Sequence, residues 1–171
     1  MEEKNTLLDQ VDLYTYDAAD KPFDFIEDEG ETALICASDP DLREKIKTAL
    51  ASLDYMITEA VSARDALKKM RFHTYDVVVL DERFDAASPE ENTVLKHLEA
   101  MDMGTRRDIF VALVTERFRS MDNMAAFNSS VNLVINTKNI ADVGTIIKRG
   151  TSENAAFYRV FKETLRKMGK A

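Results

Sequence analysis

The sequence contains a single cysteine, Cys36, among its 171 residues, which excludes an internal disulfide bond. Cys36 lies within an apolar run, so we expect a buried and unreactive thiol. No apolar run approaches the roughly 20 residues that a membrane-spanning helix requires. The N-terminus also lacks the basic and apolar regions of a secretory signal. These features predict a cytoplasmic protein that does not act at a membrane.

Glycine and histidine are also scarce, with five glycines and two histidines. The glycines are scattered, and neither a GxGxxG motif nor a P-loop occurs, so no glycine-rich phosphate loop is expected. His73 and His97 are 24 residues apart, with no cysteine or histidine at ligand spacing, which argues against a transition-metal site. No pattern of nucleophile and base is present either. We therefore do not expect an enzyme.

The negative charge of the chain is concentrated at its start. Residues 1–31 hold 11 acidic residues and 2 lysines, a net charge of −9, whereas the other 140 residues hold 20 acids and 21 bases, a net charge of +1. A nearly neutral body without a basic face argues against nucleic acid as a partner. The acids predict that residues 1–31 form an extended arm or linker. The aromatic islands at residues 13–16 and 23–26 could instead dock onto a neighbouring surface.

Strand and helix patterns alternate from residue 32 onward. The predicted strands cover residues 33–37, 55–60, 77–81, 109–114 and 131–135. We expect Asp39 followed by Pro40 to cap the first helix, Ser62 the second and Asn139 the last, with intervening helices at residues 91–101 and 122–129. Five successive βα units predict an α/β domain, a doubly wound (βα)5 fold with a five-stranded parallel sheet and helices on both faces.

The last helix is predicted to be longer than the domain needs. Its apolar stripe begins at Val143 and continues to Phe161, either straight or with a kink at residues 150–152. A helix of about 30 residues would span roughly 45 Å. The distal residues Phe157, Phe161 and Leu165 must then pack against something else, for which a second copy of the chain or the N-terminal arm is a candidate. The expected division is therefore an arm at 1–31, a domain at 32–150 and a helical extension at 151–171.

The centre of the pattern is the run Val-Val-Val-Leu at residues 77–80, which predicts a strand buried on both faces and ends on Asp81. Ligands gather at the carboxyl ends of strands in open α/β sheets. Residues 33–43, 76–81 and 112–115 resemble, in order and spacing, the first strand and loop, the phosphoacceptor strand and the fourth strand of response-regulator receiver domains. The resemblance covers residues 32–150. It implies a flavodoxin-like strand order of 2-1-3-4-5 and a role in two-component signal transduction or a phosphorelay.

The same resemblance implies roles for individual residues. Asp81 matches the phosphoacceptor and Thr115 matches the switch hydroxyl. The family also has an acidic pair after the first strand, but here Ala37 and Ser38 occupy those positions, and Asp39 follows one residue later. A magnesium site without that pair retains little protein charge and should bind the ion weakly.

The lysine of the family is missing as well. Asn136 stands where the family has lysine, and Thr137 replaces the usual proline. Lys138 would reach the site only after a shift in register. Without a cation, one anion must approach another, which costs several kcal/mol in a partly dry pocket. The sequence therefore predicts a degenerate phosphoacceptor site without metal or cofactor, in which a hydrogen bond from Ser38, Thr115 or a backbone N–H tethers the carboxylate of Asp81.

These departures predict a pseudo-receiver, an interaction module that works without phosphorylation and dimerises through the last helix. In the family, the usual partner face comprises the fourth helix, the fifth strand and the fifth helix. Here that face would present Met121, Met124 and Phe127 together with the last helix. Alternatively, Met124 and Phe127 are the inner side of a short helix.

The sequence is also compatible with two other functions. The first is a working receiver that accepts a phosphoryl group from a histidine kinase on Asp81, with Mg²⁺ held by Asp39 and Asp81. The second is a small-molecule sensor that holds a neutral ligand in the emptied acidic pocket.

Overall fold

The computed structural model describes residues 30–170 of the chain, so the aromatic islands of the predicted arm lie outside the described residues. The strands are β1 Thr32–Cys36, β2 Met56–Glu59, β3 Val77–Asp81, β4 Phe110–Thr115 and β5 Leu133–Asn136. The helices are α1 Pro40–Ala51, α2 Ala63–Phe72, α3 Thr93–Ala100, α4 Met103–Arg106, α5 Asn123–Asn128 and α6 Val143–Lys167. Within residues 30–170, no helix has an apolar stretch long enough to cross a bilayer.

The sheet has the predicted architecture. Its five strands are parallel and lie in the order β2-β1-β3-β4-β5, with Val77 opposite Ala33 on one side and opposite Phe110 on the other. The helices cover both faces: one buried cluster joins the sheet to α2, α3 and α5, and the other joins it to α1 and α6. The doubly wound (βα)5 fold with the order 2-1-3-4-5 is confirmed.

Side-chain caps set the starts of the first two crossover helices. The Asp39 carboxylate accepts a hydrogen bond from the Asp41 N–H at 3.0 Å, and Pro40 occupies the first turn. The Ser62 hydroxyl accepts from the Asp65 N–H at 3.1 Å. Each cap satisfies an N–H group that has no partner within its helix. Both predicted caps are confirmed.

The third helix begins later than predicted. Pro89–Glu91 form a 3₁₀ turn, and α3 starts at Thr93 because the Asn92 side chain accepts from the Leu95 N–H at 3.0 Å. The Asn92 amide also donates to the carbonyl of Asp81 at 3.1 Å and to that of Glu82 at 3.0 Å. This buried asparagine therefore ties the start of α3 to the end of β3.

The predicted cap of the last helix at Asn139 is wrong. Asn136 caps a 3₁₀ turn at Thr137–Asp142, and α6 begins only at Val143. The Asn139 side chain instead accepts a hydrogen bond from the Ser120 hydroxyl at 2.7 Å. Asn139 thus joins the 3₁₀ turn to the loop that follows β4.

Helix α6 is continuous over 25 residues, about 38 Å at 1.5 Å per residue. Its first half is anchored by Val143, Ile147 and Gly150, all buried. Two residues of its second half contact the segment before β4. The ring of Phe161 has its centre 4.6 Å from the guanidinium of Arg107, and Lys162 forms an ion pair with Asp108 at 3.3 Å. Part of the distal helix therefore packs on the segment just before β4.

Gly150 lies where α6 packs against side chains of β4 and β5. A Cβ at this position would lie 2.8 Å from Cζ of Phe110 and 3.2 Å from a methyl group of Leu133. At Gly144 the nearest atom to such a Cβ is 3.4 Å away, an ordinary contact. The glycine at position 150 is therefore required by packing, and the one at 144 is not.

We expect Gly150→Ala to lower the free energy of unfolding by about 1–2 kcal/mol, because overpacking exceeds the gain in helix propensity. Gly144→Ala, the matched control in the same helix, should be neutral or stabilising by up to about 1 kcal/mol. Urea unfolding followed by circular dichroism measures both values. Equal stabilities for the two variants would contradict the close packing at Gly150.

Candidate functional site

The carboxyl ends of the strands bring several of the predicted site residues together. Asp81 from β3, Thr115 from β4 and Asp39 from the β1–α1 loop line one pocket of about 190 Å³. The remaining lining residues are Leu42, Glu82, Arg83, Glu116 and Thr137. Ser38 and Asn136 do not line it. The pocket is thus bordered by four carboxylates and one arginine.

Asp81 lies half-buried at the end of β3. Its carboxylate accepts a hydrogen bond from the backbone N–H of Arg83 at 3.1 Å, which is one of the three tethers that the sequence left open. Burial raises the pKa of Asp81, and the charges of Glu82 and Asp39 act in the same direction, whereas the Arg83 N–H and guanidinium oppose them. The charged form of Asp81 is therefore disfavoured by its surroundings.

Thr115 does not bind Asp81 but a different carboxylate. Its hydroxyl donates to Oε2 of Glu82 at 2.6 Å and accepts from the Arg117 N–H at 3.0 Å. The Glu82 side chain is only 4% exposed. The hydroxyl at the end of β4 is thus engaged on both its donor and its acceptor side.

Arg117 supplies the countercharge for this buried carboxylate. Its Nε donates to Oε1 of Glu82 at 2.7 Å, and its Nη2 donates to the same oxygen. The Arg117 side chain is 46% exposed and also approaches Glu90 at 3.7 Å. A charge-assisted pair of this kind is what allows a carboxylate to remain ionised in a dry site.

The β1–α1 loop, where the receiver family has its acidic pair, is pinned by Arg43. The guanidinium donates from Nε to the carbonyl of Ala37 and from Nη2 to that of Ser38, both at 3.0 Å. Ala37 is buried and Ser38 is exposed. Neither residue brings a charged group to the pocket.

Asn136, which stands in place of the family's lysine, has a structural role here. Its Oδ1 accepts from the Lys138 N–H at 2.9 Å, and its Nδ2 donates to the carbonyl of Phe118 at 2.6 Å. Its own N–H donates to the Ser120 hydroxyl at 2.8 Å. Asn136 therefore joins the end of β5 to the loop after β4, and Lys138 is exposed and does not line the pocket.

The sequence-based prediction missed Glu82 and Arg117. Two signals were present: a second acid directly after Asp81, and an arginine two residues after Thr115. Neither signal shows by itself that one acid turns inward and that the arginine reaches it. Only the approach of the β3 and β4 ends connects the two residues.

The residues of this pocket that could hold a magnesium ion are its four carboxylates. Glu82 is engaged by Thr115 and Arg117, and Asp39 caps α1 through Oδ1, whereas Asp81 accepts only from the Arg83 N–H and Glu116 is the fourth. Across residues 30–170, no three histidine, cysteine, aspartate or glutamate side chains converge as a metal site. Magnesium in proteins is usually held by carboxylates together with retained waters and substrate oxygens.

The predicted interaction residues lie mostly at the surface. Met124 and Phe127 are 67% and 78% exposed, so they are not the inner side of α5, which Ala125 and Ala126 form instead. Met121 is half-buried against the cluster shared with α1 and α6. On α6, Phe157 is 78% exposed, Phe161 39% exposed and Leu165 half-buried.

The sole cysteine, Cys36, is fully buried in β1. Burial raises the pKa of its thiol far above the ordinary value. The thiolate is the reactive form, so Cys36 is inert as predicted.

No protein-family model matches the sequence, and no curated protein matches it. The structure, however, is similar to several solved receiver domains. A Francisella response-regulator receiver domain is 17% identical, with a TM-score of 0.57 over 72% of this chain and 98% of that one. A CheY-like receiver domain protein from Methanospirillum hungatei JF-1 is 19% identical, with a TM-score of 0.56 over 74% and 98%.

A third similar structure is the receiver domain of a sensor histidine kinase from Pseudomonas aeruginosa PAO1, with a magnesium ion coordinated in its active-site cleft. It is 17% identical, with a TM-score of 0.55 over 70% of this chain and 96% of that one. The chain therefore has the fold of response-regulator receiver domains, with an extended C-terminal helix.

Because the Glu82 side chain is buried and the Arg117 side chain is half-exposed, removing one or the other should change stability by different amounts. Arg117→Met should lower the free energy of unfolding by about 2–4 kcal/mol, because it strands a carboxylate that is removed from water. Glu82→Gln should cost less, about 1 kcal/mol, because the half-exposed Arg117 can be hydrated. Chemical denaturation of both variants and of the double variant measures the coupling.

In the double variant, most of the loss caused by Arg117→Met should be recovered. Arg83→Met, an exposed neighbour, is the control and should change stability by less than about 0.5 kcal/mol. Additive effects of Arg117→Met and Glu82→Gln would show that the two side chains are not coupled.

Proposed function

We propose that the chain is a receiver-like signalling module that acts through protein–protein contacts and without phosphoryl transfer. The observation that carries this proposal is the engagement of the Thr115 hydroxyl and the Arg117 guanidinium by the buried Glu82 carboxylate. The resemblance to receivers assigns a hydroxyl and a lysine at this edge to the phosphoryl oxygens. Here Glu82 already takes the hydroxyl, and Asn136 stands in place of the lysine. The nearby Arg117 guanidinium is held by Glu82 as well.

The electrostatics around Asp81 support the same conclusion. Asp81 is flanked by Glu82 and Asp39, and the pKa of Asp81 is raised by burial. A phosphoryl donor would bring further negative charge into a pocket already bordered by acids. At short range and low dielectric such repulsion amounts to several kcal/mol unless a cation compensates it.

A protein partner is supported by two exposed apolar areas. One is on α5, where Met124 and Phe127 are exposed. The other is a stripe formed by Phe157 and Val160 on distal α6 and by Met168 just after the helix, which are 78%, 67% and 58% exposed. The spacing of these three residues places them on one side of the helix. Contiguous exposed apolar surface of this kind is typical of interaction sites.

Within this proposal, α6 mediates association with a second copy of the chain. Its stripe is exposed, so two copies can pair their helices without disturbing the strands. The nearby cation–π contact between Arg107 and Phe161 covers one flank of the helix and leaves Phe157 and Val160 at the surface.

A working receiver is the second candidate function. It is favoured by the meeting of Asp39, Asp81 and Thr115 in one pocket. In that case Asp81 accepts a phosphoryl group from a histidine kinase, and Asp39 and Asp81 hold Mg²⁺, Asp39 through the oxygen that does not cap α1.

Beryllofluoride with Mg²⁺, a mimic of the phosphoryl group, distinguishes the two functions. We expect the amide NMR signals of Asp81 and Thr115 to stay in place, because Glu82 engages the Thr115 hydroxyl and acids border the pocket around Asp81. A receiver domain with an intact acidic pair is the positive control. Shifts clustered at Asp81 and Thr115, or phosphorylation by acetyl phosphate that is lost in Asp81→Asn, would establish the second candidate instead.

Sedimentation equilibrium of the full chain tests association through α6. We expect a dimer whose Kd rises roughly 100-fold or more in the variant Phe157→Glu with Val160→Glu, since burial of each apolar side chain contributes about 1.5–3 kcal/mol. Arg159→Ala with Glu163→Ala alters the same helix on its polar side and should leave the Kd within about threefold. A monomeric wild-type chain would contradict the proposal.

A further inference from the structure

A second pocket lies between α4 and the distal part of α6. Its volume is about 420 Å³, which is within the range of small-molecule sites. Four basic residues and one acid line it, so the lining has a net charge of +3. The charged lining residues are Arg107, Asp108, Lys162, Arg166 and Lys170, and the others are Gly104, Phe161 and Leu165.

This charge distinguishes the pocket from two others on the domain. The pocket at the carboxyl ends of the strands is bordered by four carboxylates and one arginine, a net charge of −3. The pocket between α1 and the start of α6 has two acids and two lysines in its lining, a net charge of zero. Of these three pockets, only the one between α4 and α6 attracts an anion.

Two of the four bases in this pocket have partners in the domain. Lys162 pairs with Asp108 at 3.3 Å, and the Arg107 guanidinium lies 4.6 Å from the centre of the Phe161 ring. Within residues 30–170, no ion pair involves the exposed side chains of the other two, Arg166 and Lys170. The acid of the pocket is therefore already neutralised, and two cations remain for a ligand.

The turn that ends α6 holds Lys170 at this pocket. Gly169 has a φ of +65°, and its N–H donates to the Arg166 carbonyl at 3.0 Å. The Lys170 N–H donates to the Leu165 carbonyl, also at 3.0 Å. These two bonds form a Schellman motif, in which a left-handed residue turns the chain back towards the last helical turn. Lys170 consequently lines the same pocket as Arg166.

The same turn reduces the main obstacle to anion binding at this place. The C-terminal end of a helix carries partial negative charge on its last carbonyl groups. Two of those groups, on Leu165 and Arg166, accept the N–H groups of the turn. They are therefore not free acceptors beside a bound anion.

The charge of the lining indicates a ligand with two phosphate groups. A phosphate monoester carries about −1.5 to −2 at pH 7 and has three acceptor oxygens, so two such groups balance a charge of +3. Three carboxylates would be needed for the same balance. Arginine binds phosphate through paired N–H groups, and lysine binds it as a point charge.

Nucleic acid matches the surface less well than a small molecule does. A nucleic-acid surface usually has a basic stripe or patch that follows the phosphate backbone. Here residues 30–171 carry 21 acids and 21 bases, a net charge of zero, and the four bases converge on one pocket. A compact ligand satisfies them without an extended track.

We propose that the pocket lined by Arg107, Lys162, Arg166 and Lys170 binds a small molecule that carries two phosphate groups. Arg166 and Lys170 donate charge-assisted hydrogen bonds to the phosphate oxygens, and the other two bases add to the positive field. The pocket is separate from the one that contains Asp81. The proposal therefore depends neither on the function proposed for that residue nor on pairing through α6.

Titration of the full chain with inorganic pyrophosphate, followed by amide NMR, tests the proposal. We expect saturable shifts at residues 104–108 and 161–170, with sodium chloride at matched ionic strength as the reference. Because screening shortens the range of the attraction from about 10 Å at 0.1 M salt to about 3 Å at 1 M, the Kd should rise about tenfold or more at high salt. Shifts that do not saturate, shifts centred on other residues, or none would overturn the proposal.

A matched pair of variants separates the pocket from the general charge of α6. Arg166→Gln with Lys170→Gln should raise the Kd for pyrophosphate about tenfold or more, because each loses a hydrogen bond between charged groups. Arg159→Gln with Lys167→Gln removes the same charge from the same helix outside the pocket and should change the Kd by less than about twofold. Equal weakening in both variants would overturn the proposal.

Position 169 tests the contribution of the turn without any change in charge. A Cβ at this position would meet nothing within 4 Å, so only the positive φ restricts the side chain. Asparagine tolerates this conformation and valine does not. Gly169→Val should therefore raise the Kd about threefold or more, and Gly169→Asn should leave it within about twofold. An unchanged Kd in Gly169→Val would overturn the assignment of Lys170 to the site.

A single-stranded DNA oligonucleotide tests the alternative ligand class. At concentrations of phosphate groups equal to those that saturate the pocket with pyrophosphate, we expect no saturable shifts at residues 104–108 and 161–170. Binding of the oligonucleotide at these residues without binding of pyrophosphate would overturn the proposal, since the pocket would then belong to a nucleic-acid surface.

Discussion

The complete burial of residues 77–80 in β3 is the constraint on which the rest of the structure depends. Residues 77–80 are at most 1% exposed because β1 and β4 flank them in the sheet and helices cover both faces. Buried parallel strands need crossover helices, and all their carboxyl ends meet at one edge. Asp81, Thr115 and the β1–α1 loop therefore share a pocket as a consequence of strand packing, whatever chemistry that pocket performs.

Sequence patterns predicted this fold well because its signals are local. The apolar run at residues 77–80 and the caps Asp39 and Ser62 are each visible within a few positions. The starts of the third and last helices were wrong because Asn92 and Asn136 bind backbone groups distant in sequence. These hydrogen bonds favour a 3₁₀ turn before each of the two helices, whereas the helical periodicity of the sequence predicts that the helix itself begins there.

The site was predicted only in part, for a related reason. The end of β3 carries two adjacent acids, and the resemblance directed attention to Asp81, whereas Glu82 is the more buried of the two. A carboxylate is stable in such a place only with a countercharge and hydrogen bonds. Those come from Arg117 and Thr115, which are 35 and 33 residues away. No regular spacing in the sequence predicts the pairing of Glu82 with Arg117 and Thr115, because the three residues meet only when β3 and β4 lie side by side.

The two faces of the sheet present separate surfaces. Helix α2 belongs to one buried cluster and α6 to the other, so the sheet lies between them. A partner that packs on the exposed apolar side chains of α6 therefore leaves the surface of α2 uncovered.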